Sequence, residues 1–386
     1  MNKKLIRITT IPMSLKYLLK GQMSFMGKNG FDVIMISSDG KELKDVIENE
    51  KCKHFIIPFT RKITPLKDLI ATFSLYRFLI KEKPDIVHTH TPKAGVVGMI
   101  ASFLARVPVR LHTVAGLPLM ETVGLKRVVL NLVEKLTYYC STKVYPNSFG
   151  LKNIILKNRF TIEDKLRVIG IGSSNGIDIS YFDPELFSCK EKNKLKSELG
   201  IERNDFVFIF VGRLVADKGI NELVEVFNEL CSDLKGIKLL LVGPFEDEID
   251  PLTKKTKLLI SSHDKIILAG YQNDVRPFFA ISNSLVFPSY REGFPNVVMQ
   301  SGAMGLPSIV TDINGCNEII QTDYNGIVIP SKDIESLKRA MSRIFQDKEL
   351  YLKCSAKSRL AIVNNYEQKL YWKALLNEYK SYKNIL

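Results

Sequence analysis

The feature that most constrains this chain is a repeated alternation of short, continuously apolar runs with longer amphipathic ones. The clearest run is Phe206-Val-Phe-Ile-Phe-Val211. Six residues without a polar side chain leave no side for solvent, so a strand there must be covered on both faces. Strand-like runs in the first half are Leu5–Ile11, Phe31–Ile36, His54–Pro58, Asp85–His90, Val109–Val114, Lys143–Pro146 and Arg167–Ile171. The second half adds Lys238–Val242, Ile266–Ala269, Ser284–Phe287, Ser308–Thr311 and Gly326–Ile329. Helical patterns lie between them, at Ser14–Lys28, Pro65–Glu82 and Leu125–Tyr139, and Ile220, Leu223, Val224, Phe227 and Leu230 form a helical stripe after the Phe206 run. This order predicts an α/β chain with parallel, doubly wound sheets.

A length of 386 residues calls for two such domains rather than one. The polar stretch Asp183–Asp205 marks the junction, giving expected domains of 1–182 and 183–365. The last segment, Tyr366–Leu386, carries the only tryptophan, Trp372, with Leu370, Leu375, Leu376, Tyr379 and Tyr382 close to a helical stripe, and reads as a packing helix.

Composition excludes several classes. With 45% hydrophobic and 25% charged residues the chain is neither disordered, collagen-like nor a disulfide scaffold. Six cysteines lie far apart with no CxxC pair, so no zinc site or disulfide framework is expected, and a reducing cytosol is the expected home. The longest uncharged run, Gly293–Thr311, is broken by Pro295, Gly302, Gly305 and Pro307 and makes a poor membrane span.

The net charge of +14 is unevenly placed. Residues 1–190 carry 29 lysines and arginines against 16 aspartates and glutamates, while residues 191–386 carry 26 against 25. A positive first half suits a polyanionic partner: nucleic acid, an anionic membrane surface or a phosphorylated substrate. No helix-turn-helix, zinc pattern or aromatic-basic strand supports nucleic acid.

Ligands of doubly wound sheets bind beyond the carboxyl ends of the strands. The loop Val211-Gly-Arg-Leu-Val-Ala-Asp-Lys-Gly219 places Arg213 and Lys218 at such an end, with Gly212 allowing close backbone approach. Two cations before a helix N-terminus suit a diphosphate, although surface cations are often merely solvated. The run from Phe287 to Pro307 sets a strand, a glycine-bearing turn and a helix starting near Pro295. It aims Glu292 and the amides of Gly293 to Val297 at the same region, with Gln300 expected about two turns into the helix. His88 and His90 share one face of a strand; hydrogen bonding to a ligand is the favoured reading over metal ligation, because no third ligand is evident.

Taken together, Gly212-Arg213 with Lys218-Gly219, Ser289-Tyr-Arg-Glu-Gly-Phe-Pro-Asn296 and Ala303-Met-Gly-Leu-Pro307 resemble the donor site of retaining glycosyltransferases of family four, which have the GT-B fold. Gly172-Ser-Ser-Asn-Gly-Ile-Asp178 with Phe182, Asp39-Gly40, Asp85-Ile-Val-His-Thr-His90 and Val242-Gly-Pro244 fit the same resemblance, which spans essentially the whole chain and most resembles the bacterial surface-polysaccharide and lipid-linked oligosaccharide branch.

The resemblance implies two facing Rossmann-like domains with a cleft between them and a C-terminal helix returning to the first. It implies a hexosyltransferase that moves a hexose or N-acetylhexosamine from a nucleotide diphosphate sugar, UDP-linked, to a saccharide acceptor on polyprenyl diphosphate. The pathway would be capsule, O-antigen or exopolysaccharide synthesis. Arg213 and Lys218 would neutralise the leaving diphosphate, and Glu292 would orient the sugar and oppose oxocarbenium charge. Gly212, Gly293, Phe294, Pro295, Asn296, Val297, Gln300 and Asn175 would contact the donor. His90, Lys20, Gln22 and Gly116 would touch the acceptor or sugar. No metal and no other cofactor is expected.

Three departures qualify the match. Gln300 stands where the family has its second acid. Ala115 replaces a frequent histidine before Gly116. The usual paired-glycine loop after the first strand is reduced to Gly21, leaving Lys16, Lys20 or Gln22 for the polar role. A nucleotide-sugar epimerase of the same architecture and a catalytically silent binding partner are the alternative readings.

On this resemblance the basic first half would bind the acceptor at an anionic membrane, peripherally, on the cytoplasmic face. Arg61, Lys62, Lys67, Lys126, Arg127 and Lys135 are the candidate contacts. The adjoining Leu125, Val128, Val129 and Leu132 have helical spacing and read first as core, with a membrane face as the alternative.

Overall fold

The computed structural model describes residues 3–60, 64–117, 119, 122–248 and 250–382. Arg61 and Lys62, named above as membrane contacts, lie outside the described residues. The first half contains β1 (Lys3–Ile8), α1 (Pro12–Leu18), α2 (Gln22–Lys28), β2 (Phe31–Ser37), α3 (Leu43–Glu50), β3 (Lys53–Ile56), α4 (Pro65–Glu82), β4 (Ile86–His90), α5 (Pro92–Leu104), β5 (Val109–Val114), α6 (Gly124–Cys140), β6 (Lys143–Pro146) and α7 (Phe149–Lys157). The second contains α8 (Cys189–Glu198), β7 (Phe206–Val211), α9 (Ile220–Asp233), β8 (Ile237–Val242), α10 (Lys254–Ser262), β9 (Ile266–Gly270), α11 (Arg276–Ala280), β10 (Ser284–Phe287), α12 (Asn296–Ala303), β11 (Ser308–Thr311), α13 (Cys316–Ile319), β12 (Gly326–Ile329), α14 (Ile334–Gln346), α15 (Lys348–Tyr366) and α16 (Gln368–Ser381).

The chain divides into two compact units, Met1–Asn175 with Lys369–Leu386, and Gly176–Gln368. The first crossing therefore comes before residue 182, because Ile177 is already tied into the second unit: its amide donates to Tyr366 O at 2.8 Å, and its carbonyl accepts from Gln368 N at 2.9 Å. Arg359 adds to this, donating to the carbonyl of Phe182 at 2.8 Å.

Each unit holds one six-stranded parallel sheet, ordered β3-β2-β1-β4-β5-β6 and β12-β11-β10-β7-β8-β9. Both orders are the doubly wound pattern, in which strand order reverses beside the first strand. Those switch points lie between β1 and β4 and between β7 and β10. Alternation within a strand feeds two cores, which is why the runs are apolar throughout. Leu5 packs with Leu15, Met23 and Leu375 on one face of the first sheet, and Ile6 and Ile8 pack with Leu75, Leu79 and Val97 on the other.

Two expected elements differ. Arg167–Ile171 forms no strand; only Leu166 bridges to Val144, and Gly170 and Gly172, at φ of 59° and 116°, turn the chain away. The helical pattern of Ser14–Lys28 is two helices, divided at Gly21. That residue has a φ of 80°, and a Cβ on it would lie 2.6 Å from the Trp372 ring. A side chain there would force the Trp372 ring to move.

A buried cation organises the first unit. Arg7, fully buried on β1, donates to Tyr379 Oη at 2.7 Å, to Gln22 Oε1 and to His90 Nε2 at 2.8 Å. Tyr379 in turn meets His88 Nδ1 at 2.5 Å, and His88 Nε2 lies 2.7 Å from Thr113 Oγ1. Burial, then the charge of Arg7, hold His90 well below the ordinary histidine range; burial, then His90 and Arg7, do the same for His88. Both rings thus stay neutral around one guanidinium.

α4 and α6 flank α5 on the sheet face opposite α16, and both expose apolar stripes. On α6, Leu125, Val128, Val129 and Leu132 are 80%, 53%, 46% and 62% exposed, which corrects their reading as core. The helix turns other residues inward. Arg127 donates to Leu119 O, to Asn131 Oδ1 at 3.1 Å and to Asn158 Oδ1 at 3.2 Å, and Tyr138 is fully buried. α4 buries Ala71, Leu75 and Leu79 and presents Leu66, Leu69, Ile70 and Phe73 to solvent.

The Tyr379→Phe variant removes the acceptor of a buried guanidinium and should lower the stability of the first unit by about 2–3 kcal/mol. Urea unfolding followed by the fluorescence of Trp372, which lies on α16, measures this; an unchanged midpoint would contradict the role given to Arg7.

Candidate functional site

The switch point of the second sheet gathers the expected donor residues. β7 ends at Val211 and leads into Gly212, Arg213 and Lys218; β10 ends at Phe287 and leads through Ser289 and Glu292 to α12. The two loops touch at Gly219. Its φ is 70°, and a Cβ there would lie 2.3 Å from the carbonyl oxygen of Pro288, so only glycine lets them close.

That contact brings Lys218 Nζ onto Glu292 Oε1 in an ion pair whose side chains are 13% and 16% exposed. The hydroxyl of fully buried Ser289 donates to the same carboxylate oxygen at 2.9 Å and lies 3.5 Å from Lys218 Nζ. Asn314 Nδ2 donates to the carbonyl oxygens of Glu292 and Gly293, fixing the turn. A second layer braces the loops: Arg291 pairs with Asp217 at 2.8 Å, Tyr290 N donates to Asp217 O at 2.9 Å, and Tyr290 Oη donates to Glu222. Burial, then the hydrogen bond to Glu222, push the Tyr290 hydroxyl far above its usual pKa.

α12 begins at Asn296 with Pro295 as its N-cap and no side-chain cap. Gly293, Phe294 and Pro295 are buried and Asn296 and Val297 half-buried, so the positive end of this helix lies next to the Lys218–Glu292 pair. The helix starts next to Pro295 as expected, which places half-buried Gln300 about one turn into it rather than two. Arg213 is more open; it donates to Glu246 Oε2 at 2.9 Å.

The remaining expected residues belong to the first unit. His90 and Gln22 are buried on Arg7, a pairing that strand alternation alone does not reveal. Asn175 has its side chain engaged there too: Oδ1 accepts from Gln22 Nε2 at 2.9 Å and Trp372 Nε1 at 2.6 Å, and Nδ2 donates to Lys20 O at 3.0 Å. The Lys20 side chain is exposed and Gly116 is half-buried in the loop after β5. At this unit's switch point Thr91 has a φ of 73°, uncommon for a β-branched residue, with its hydroxyl 2.7 Å from Thr10 Oγ1.

Sequence reasoning passed over Ser289, Asn314, Asp217 and Glu246 as functional residues. Ser289 and Asp217 sit inside the Ser289–Asn296 and Val211–Gly219 motifs, and their polarity after a strand end was the available signal. Asn314 and Glu246 follow the ends of β11 and β8 and offer the same signal, but lie outside those motifs. Among the described residues no three His, Cys, Asp or Glu side chains gather in a metal-holding group.

Residues 191–361 match the family model described as glycosyl transferases group 1, and residues 11–148 match glycosyl transferase 4-like. The capsular polysaccharide biosynthesis glycosyltransferase CapM of Staphylococcus aureus is 33% identical over 382 residues, covering 99% of this chain and 98% of that protein. The chain belongs to the glycosyltransferases. A second relative of this glycosyltransferase is the UDP-Gal:alpha-D-GlcNAc-diphosphoundecaprenol alpha-1,3-galactosyltransferase of Escherichia coli, 32% identical over 342 residues, covering 87% of this chain and 85% of the relative. Among solved structures, Anabaena Alr3699/HepE in complex with UDP and glucose superposes with a TM-score of 0.81 at 17% identity, covering 98% of this chain and 100% of that one. That likeness establishes the GT-B fold, two Rossmann-like units, for the glycosyltransferase described above.

Proposed function

We propose that this enzyme is a retaining, metal-independent transferase that moves a hexose or N-acetylhexosamine from a UDP-linked sugar to a saccharide acceptor carried on polyprenyl diphosphate, in capsule, O-antigen or exopolysaccharide synthesis. The observation that carries this reading is the convergence of Lys218, Glu292 and the uncapped start of α12 at one switch point. The bond between the anomeric carbon and the diphosphate breaks with its electron pair leaving on phosphate oxygen. Lys218, Arg213 and the amides of Gly293, Phe294, Asn296 and Val297 meet that charge, so the cations and helix dipole take the place a metal ion would otherwise fill. Glu292 faces the electron-poor sugar. The names of the relatives support the donor and acceptor classes: one is a capsular enzyme and the other uses UDP-Gal and a diphosphoundecaprenol acceptor, while the Anabaena structure holds UDP and glucose.

The acceptor belongs, in this reading, to the basic first unit, held peripherally at the anionic cytoplasmic face of the membrane. No helix among the described residues is long and apolar enough to span a bilayer. The outward stripes of α4 and α6 carry exposed Lys67, Lys126 and Lys135 beside exposed leucines and phenylalanine. Apolar insertion and attraction to anionic headgroups, at about 1 kcal/mol per cation, then act together.

Lys218→Ala and Arg213→Ala should each lower transfer of labelled sugar to a cell-envelope lipid extract by about 10²–10³-fold with unchanged circular dichroism. Wild-type rates in both would place the donor elsewhere, and conversion of the nucleotide sugar without acceptor would point to an epimerase. Replacing Leu125 and Leu132 together by glutamate should weaken flotation with anionic liposomes about tenfold or more, leaving turnover of a water-soluble acceptor unaltered. Unchanged flotation would remove these stripes from membrane binding.

A further inference from the structure

We propose that Glu246 is an internal counter-ion of Arg213, displaced by the donor diphosphate and recaptured when the nucleoside diphosphate leaves. The inference rests on the donor reading above. Glu246 lies in an acidic loop after β8, Glu246-Asp-Glu248 followed by Asp250, that is pinned to the Gly212–Lys218 loop on both sides. Leu214 N donates to Pro244 O at 2.8 Å and Leu214 bridges to Phe245. Beyond Glu246, Ala216 N donates to Asp250 O at 3.2 Å and Asp217 N to Asp250 Oδ2 at 2.6 Å. Between these anchors the Glu246 carboxylate has Arg213 as its one polar partner among the described residues. The neighbouring Asp247 is turned away to Lys257, 2.7 Å distant.

The two ion pairs of this site differ in what separating them costs. Lys218 and Glu292 are nearly enclosed, and either would be left as a buried charge without the other. Arg213 and Glu246 are 40% and 33% exposed, so water can take over each group when the pair opens. A diphosphate brings more negative charge than one carboxylate and can engage the guanidinium bidentately. It therefore wins Arg213, at the loss of a half-exposed pair that is worth roughly a two- to five-fold factor in affinity. The same carboxylate competes for Arg213 during product release.

Calorimetric titration of the full chain with UDP tests this. E246Q should bind UDP about two- to five-fold more tightly, with slower release in stopped-flow displacement, and E246A should show the same gain. In an Arg213→Ala background E246Q should change nothing, since the two residues act as one unit. Equal or weaker UDP binding by both Glu246 variants, with wild-type melting temperature, would overturn the proposal while leaving the donor site intact. Unchanged UDP binding by Arg213→Ala alone would refute the donor reading and this inference with it.

Discussion

The pairing of Lys218 with Glu292 is the interaction on which the second unit's functional end depends. Both groups are nearly enclosed, and a pair taken out of water must be compensated by close geometry and further hydrogen bonds. Ser289 and Asn314 provide those bonds to the carboxylate and its carbonyl, and the close approach of Gly219 to Pro288 makes the geometry reachable. A charge set built this way needs little rearrangement when a charged ligand arrives, the condition under which electrostatic stabilisation is most effective. Arg291–Asp217 and Tyr290–Glu222 then keep the two loops in register.

The first unit is arranged around the opposite problem, a cation with no carboxylate in contact among the described residues. Arg7 is accommodated by Tyr379, Gln22 and His90, and the price of that burial is neutral imidazoles and a C-terminal helix that must dock. α4 and α6 set exposed Lys67, Lys126 and Lys135 beside apolar stripes. A unit can therefore be basic outside and still hold one guanidinium inside, because the buried one is hydrogen-bonded rather than solvated.

Much of this was legible in the sequence because parallel strands buried on both faces leave apolar runs. All six strands of the second unit were placed by such runs, as were six in the first. The strand expected at Arg167–Ile171 failed because two glycines with positive φ bend a run that composition alone cannot distinguish. The motif residues of the loops after β7 and β10 are sequence neighbours of strand ends, so their convergence followed from topology. The partners of His90, Gln22 and Asn175 were not legible: Arg7 comes from another strand than His90 and meets Tyr379, 372 residues on, and Asn175 meets Trp372, 197 residues on. Nor did the spacing of Leu125, Val128, Val129 and Leu132 reveal its direction. A helical stripe looks the same facing a core or facing out, and only the inward turn of Arg127 and Tyr138 decides between them.

A crystal structure of this glycosyltransferase with UDP bound is the most direct test of the account. The second switch point should hold the nucleotide, with diphosphate oxygens about 2.7–3.1 Å from Lys218 Nζ and from amides among Gly293, Phe294, Asn296 and Val297. A nucleotide seated away from β7 and β10, with Lys218 contacting only Glu292, would contradict it.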